Sequence, residues 1–259
     1  MKPSRLIAVD IGNSSTKLGW FDESTASPAA ALPTLAATRS FVTGQPPPTD
    51  LATGLPVERC RWHIASVHRE GTRLLNEWVK SQRPNDEVHL LSHLDLPIAT
   101  EVEFPDRVGL DRLAAAVAAN AIREPGRPAI VIDAGSAITV DLVTAAGAFS
   151  GGVILPGFRL SAEALSSGTD LLPLALLEPS ADPPPVLGKN TQAAIKSGLF
   201  WGAVGAVREI ATRMTAGLAQ PPQIFVTGGD LRQLAQHLGG GAKFVSNMVL
   251  CGIAISVKA

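Results

Sequence analysis

The chain has no tyrosine, only two cysteines and no apolar run long enough to span a bilayer. Cys60 and Cys251 form no C-x-x-C pair and show no zinc-ligand spacing, which argues against a disulfide framework and points to the reducing cytoplasm. The apolar stretch behind Lys2 and Arg5 stops at Asp10, too short for a signal-peptide core or a membrane helix. Charge is sparse as well. Charged residues make up 17% of the chain, and 22 basic against 23 acidic groups leave a net charge of −1. That balance offers no footprint for nucleic acid or an anionic membrane. Two common nucleotide signatures are also missing: Gly188-Lys189 runs into Asn190 rather than completing a P-loop, and no G-x-G-x-x-G follows a strand.

What remains is globular. Apolar residues reach 46% over 259 positions, enough for one large or two modest domains. The run Leu6-Ile7-Ala8-Val9 reads as a buried strand ending at Asp10, and residues 16–21 as a second strand. Residues 24–56, rich in Pro, Ala and Thr, read as loop. A strand is expected over 61–67 and helices over 72–80 and 112–121, with Leu74, Leu75 and Trp78 on one face of the first. Further on come a strand over 149–155, a long helix from about 190 to 218 and a strand at 224–226. In the long helix Ala194, Leu199 and Ala203 suggest a packed stripe. A Thr227-Gly228-Gly229-Asp230 turn and a helix over 231–238 follow.

The linker Glu124-Pro125-Gly126-Arg127-Pro128 divides the chain into expected lobes of 1–124 and 125–259. Just beyond it the opening pattern returns. Val9-Asp10-Ile11-Gly12-Asn13-Ser14 aligns without gaps on Ile132-Asp133-Ala134-Gly135-Ser136-Ala137, at an interval close to half the chain. Each block is an apolar strand, a carboxylate, a glycine turn with small polar residues and another β-rich run. A duplicated α/β lobe predicts such spacing.

The first block, Asp10-Ile11-Gly12-Asn13-Ser14-Ser15-Thr16-Lys17, carries phosphate-binding chemistry. A carboxylate at a strand end can hold Mg²⁺ through water, since that ion keeps much of its hydration. Backbone N–H groups from Asn13 to Ser15, the hydroxyls and Lys17 can line phosphates. The bland alternative is a hairpin with a polar turn and a solvated lysine. Gly109-Leu110-Asp111-Arg112 also has two readings. Asp111 either complements a helix dipole or accepts a substrate hydroxyl proton, and Arg112 is either solvated or clamps a carboxylate. Thr191 can cap the long helix. His89 and His93 do not read as a metal pair, and Trp62 and Trp78 read as core.

Taken in order, Asp10–Lys17, Gly109–Arg112, Asp133-Ala134-Gly135-Ser136-Ala137-Ile138-Thr139, Gly151–Gly157, Gly188–Thr191 and Thr227–Gly229 resemble type III pantothenate kinases over nearly the whole chain. The resemblance implies two ribonuclease-H-like lobes of the actin and sugar-kinase type with a nucleotide cleft between them. It implies ATP-dependent phosphorylation of pantothenate, the first step toward coenzyme A, in a cytoplasmic homodimer. On this resemblance residues 10–17 and Ser136 contact ATP, Asp10 reaches Mg²⁺ through water, and Asp133 holds a monovalent cation (K⁺ or NH₄⁺). Gly109, Leu110, Asp111, Arg112 and Thr191 would meet pantothenate, with Asp111 as base. The chain departs from the family pattern twice. Ser136 stands where the family more often has Thr, and Val102 or Phe104 where it has a substrate-contacting Tyr. The rival expectations are a non-catalytic relative of the transcription-accessory type and another small-molecule kinase of the same superfamily.

Overall fold

The computed structural model describes residues 5–21, 31–178, 182–229 and 233–256. The chain forms two compact units. One takes the chain up to Ile122 and again from Asn247, and the other is Arg123–Ser246.

The first unit holds β1 (Arg5–Ile11), β2 (Ser15–Phe21), β3 (Leu35–Val42), β4 (Cys60–Ser66), α1 (Arg69–Gln82), β5 (Glu87–Leu90) and α2 (Leu110–Ile122). The sheet order is β3-β2-β1-β4-β5, with the first three strands antiparallel and β4 and β5 parallel to β1. β1 is a continuous apolar run because it is central and covered on both faces, so Ile7, Ala8, Val9 and Ile11 are all fully buried. On one face Ile7, Val9, Ile11, Trp62 and Ile64 pack with Leu75 and Val79 of α1. Trp62 and Trp78 meet edge to face at 6.3 Å, and the Trp62 indole N–H donates to Asp86 at 2.9 Å. Asp86 also takes Arg83 at 2.8 Å, which ties the end of α1 to the sheet.

The second unit repeats the plan. β6 (Ala129–Ala134), β7 (Ala137–Val143), β8 (Phe149–Pro156), α3 (Phe158–Ser167), α4 (Thr191–Met214), β9 (Gln223–Thr227), α5 (Leu234–Leu238) and β10 (Lys243–Phe244) follow in order. The sheet order is β10-β9-β6-β7-β8, again an antiparallel trio with two parallel strands beside its first member. The duplication expected from the two Asp-x-Gly blocks is therefore visible in strand order and direction.

α6 (Met248–Ser256) follows β10 as α2 follows β5, yet it packs in the first unit against α2 and β1. The linker at 124–128 predicts a second lobe over 125–259; the structure instead returns this last helix to the first unit. The reason is compositional. α6 is apolar on every side and buried from Met248 to Ala254, and α2 offers it a thin wall of buried residues from Leu113 to Ala119. Gly252 lies so close that an added Cβ would stand 1.8 Å from the Ala114 carbonyl oxygen.

Other expectations shift. β3 forms inside the stretch read as loop, as an exposed edge strand held by backbone pairing to β2. α4 ends at Met214, and its buried stripe is Ile195, Ser197, Phe200, Val204 and Val207, while Ala194 is exposed. α5 opens at Leu234; Asp230 and residues 231–232 lie outside the described residues. No helix among the described residues is long and apolar enough to cross a membrane.

Candidate active site

Asp10 is the penultimate residue of β1 and is 9% exposed, in register with Lys17 across the hairpin and with Ala65 on β4. The turn beyond it is pinned from three sides. Gly12 N–H donates to Ser15 O at 3.1 Å, Val67 N–H to Ile11 O at 3.0 Å, and Thr43 N–H to Ser14 O at 3.1 Å. Asn13 and Ser14 are left exposed at the tip. Ile11 and Thr16 carry their side chains into the interior, so any contact these two make with a ligand runs through the backbone. Thr16 bonds the Thr43 hydroxyl at 2.9 Å.

Asp133 holds the same place in β6, penultimate and in register with Thr139 and Thr227 on its two neighbours. Residues paired across strands share a face, so one carboxylate and two hydroxyls converge there. Gly135 N–H closes the turn onto Ala137 O at 3.0 Å, and Ser136 is exposed at its tip. Two glycines crowd this turn. Gly157 donates to Ser136 O at 3.1 Å, and a Cβ on it would lie 2.3 Å from Gly135 O. Gly228 has φ +108°, and its Cβ would lie 2.2 Å from Ala134 O. Gly228 is thus fixed by backbone packing and by its positive φ, whereas Gly229 has open space around it.

Asp141 lies outside the motifs that mark the site in the sequence. It is 1% exposed on β7, and a Cβ on Gly152 opposite would strike its Oδ1. A lone acid in the alternating run Ile138-Thr139-Val140-Asp141-Leu142 was the available signal.

Asp111 lies in the first turn of α2, where its Oδ1 accepts the Arg112 N–H at 2.9 Å. Both residues are half-buried, and the seven residues that follow are buried. A side chain at 109 would collide with Asp111 Oδ1. Thr191 is the exposed first residue of α4, but the cap is Asn190, whose Oδ1 accepts Ala193 N–H at 2.8 Å. The capping alternative for Thr191 is therefore overturned. Phe104, at a position where the expected Tyr is absent, is exposed, and the Arg107 guanidinium covers its ring at 4.5 Å.

Burial pushes the Cys60 and Cys251 thiols up to about 11, which leaves them protonated and inert. Burial, with His89 and Arg61 nearby, brings His63 down to about 4, so it is neutral near pH 7. His89 bonds Asp95 at 3.2 Å. Among the described residues no group of three or more His, Cys, Asp or Glu can hold a metal. The Thr139 and Thr227 hydroxyls that flank Asp133 suit a hard cation, whereas Asp10 faces Lys17 and Ala65. A cavity of about 510 Å³ in the second unit, lined by Arg127, Arg208, Thr212 and Ile224 among others, contains none of the residues expected to bind ligand.

A family model for type III pantothenate kinase matches residues 6–213. The chain is 32% identical over 250 residues to the Type III pantothenate kinase of Alkalilimnicola ehrlichii, covering 96% of both chains. It is 44% identical over 142 residues to that of a Jannaschia species, covering 54% of this chain and 52% of the relative. Among solved structures, a Baf family transcriptional-activator candidate from Campylobacter jejuni superposes with TM-score 0.61 at 20% identity, over 97% of each chain. A 2-dehydro-3-deoxygalactonokinase candidate from Sinorhizobium meliloti gives 0.57 at 14% identity, over 98% of this chain and 96% of its own. A glucokinase from an Antarctic psychrotroph gives 0.51 at 13% identity over all of both chains. At these identities the structures speak to fold, the duplicated actin and sugar-kinase type. The family model and the near full-length relative speak to descent, and the chain belongs to the type III pantothenate kinase family.

Proposed function

We propose that this chain transfers the γ-phosphoryl group of ATP to the 4′-hydroxyl of pantothenate, the entry step to coenzyme A. The observation that carries the reading is the repeated hairpin. Asp10 and Asp133 stand at the same position in two copies of one strand–turn–strand, each beside an exposed polar tip. Such turns present backbone N–H groups and hydroxyls to phosphate oxygens. Phosphoryl transfer needs positioning and charge stabilisation more than covalent chemistry, which this arrangement can supply. Asp111, anchored by one oxygen, accepts the proton of the attacking hydroxyl, and Arg112 holds the pantothenate carboxylate. Mg²⁺ attaches near Asp10 through water, and a K⁺ or NH₄⁺ ion near Asp133, Thr139 and Thr227 offsets phosphate charge.

Purified protein with ATP, Mg²⁺ and K⁺ should release ADP with pantothenate and not with acetate, glucose or glycerol. Release with another acceptor and none with pantothenate would overturn the substrate. Replacing K⁺ by Na⁺ at constant ionic strength should slow the reaction, and Asp133→Ala should lose that response. Equal rates in both salts would remove the cation role.

The working form is proposed to be a homodimer. Leu160 and Leu165 of α3, Ile154 of β8 and the segment with Leu171 and Leu174 expose apolar side chains on the second unit, which a second copy would cover. Sedimentation at falling concentration should show dissociation together with loss of activity; a fully active monomer would refute it.

A further inference from the structure

We propose that Thr43 is a positioning residue for the phosphate turn, setting the direction in which that turn presents its donors. Thr43 lies just past the exposed edge strand β3, 9% exposed, in a segment with no sequence signature. It holds the hairpin at two points and packs on α1 at a third. Its N–H donates to Ser14 O at 3.1 Å, and its hydroxyl pairs with that of Thr16, itself 1% exposed, at 2.9 Å. Its methyl packs against the first turn of α1 beside Ile11, where a Cβ on Gly71 would come within 2.8 Å. The peptide unit between Ser14 and Ser15 is planar and trans, so its carbonyl and its N–H point in opposite directions. Drawing Ser14 O toward Thr43 turns the Ser15 N–H to the other side of the loop, among the donors assigned to phosphate. The buried hydroxyl pair fixes Thr43 against Thr16 on the second strand of the hairpin, and so holds the Thr43 N–H opposite Ser14 O, because breaking it would leave a buried polar group unpaired. Thr43 touches no substrate in this account; it acts through the turn.

The inference rests on reading Asp10–Lys17 as the ATP site, so the test must separate the two. Thr43→Val keeps the branched shape and the backbone N–H but removes the hydroxyl, and Thr43→Ser keeps the hydroxyl. Thr43→Val should raise KM for ATP about tenfold while KM for pantothenate stays put, and Thr43→Ser should restore the ATP value. Thr16→Val should reproduce the defect, and the double variant should be no worse than either single one, as expected of two members of one pair. An unchanged ATP KM in Thr43→Val, or both KM values moving together with the melting temperature, would overturn the positioning role. Lys17→Ala is the reference. If it raises the ATP KM while Thr43→Val does not, the Thr43 inference alone fails; if it leaves the ATP KM unchanged, the ATP site itself is misplaced. Should Thr43→Val not fold, Thr16→Val and Thr43→Ser decide by the same criteria.

Discussion

Asp111→Asn is expected to lower kcat by about 10²- to 10⁴-fold, the range for loss of a positioned general base, with nucleotide binding almost unchanged. The substitution is unusually clean here. The anchor at this position is Oδ1 accepting the Arg112 N–H, and an asparagine side-chain oxygen can accept the same bond. The start of α2 therefore survives, and what disappears is the negative charge and the proton acceptor. Loss of the favourable charge at a helix N-terminus should cost about 1 kcal/mol or less. A transition state with little deprotonation of the nucleophile would place the rate loss at the lower end. Steady-state kinetics and thermal melts on one preparation decide the matter. An enzyme that melts a few degrees early yet turns over normally would leave Asp111 as a helix-start residue and nothing more.

The second large effect is on stability. Gly252→Val should destabilise the fold by about 3 kcal/mol or more, at the upper end for overpacking, because the obstructing atom is backbone rather than a side chain that can swing aside. Ala114→Gly should not rescue it, since the Ala114 carbonyl remains in place. Gly202→Ala in α4, where nothing lies within 4 Å of an added Cβ, should be neutral or stabilising by up to about 1 kcal/mol. Denaturant melts of the three variants provide the check. If Gly252→Val melts with the wild type, α2 and α6 do not pack at the distance seen here. Activity should fall along with stability, because α2 carries Asp111 at its start.

The parts of this fold legible in the sequence are those where burial writes a pattern. β1 and β6 are covered on both faces, so each appears as an unbroken apolar run closed by a carboxylate and a glycine. Their repetition gave the duplicated architecture. β3 leaves no such trace, since an exposed edge strand is specified by backbone pairing, which imposes no side-chain period. The same blindness hid Thr43, whose hydroxyl partner Thr16 lies 27 residues away in the chain. Asn190 and Thr191 are adjacent residues of similar capping propensity, and only the geometry separates cap from first helical position. The return of α6 to the first unit was not legible either. A helix apolar on all sides must be buried, but nothing in its composition says against which neighbour.

That return sets the order of events during synthesis. The first unit is discontinuous: its two pieces are separated by the whole of Arg123–Ser246. At about 5–20 residues per second, a ribosome needs roughly 6–25 s to cross that interval. Until the final helix emerges, the alanine wall of α2 has no cover and the first sheet lacks one of its layers. The second unit, drawn from one unbroken stretch, can close before the unit that began the chain. The amino-terminal half is thus made first and finished last.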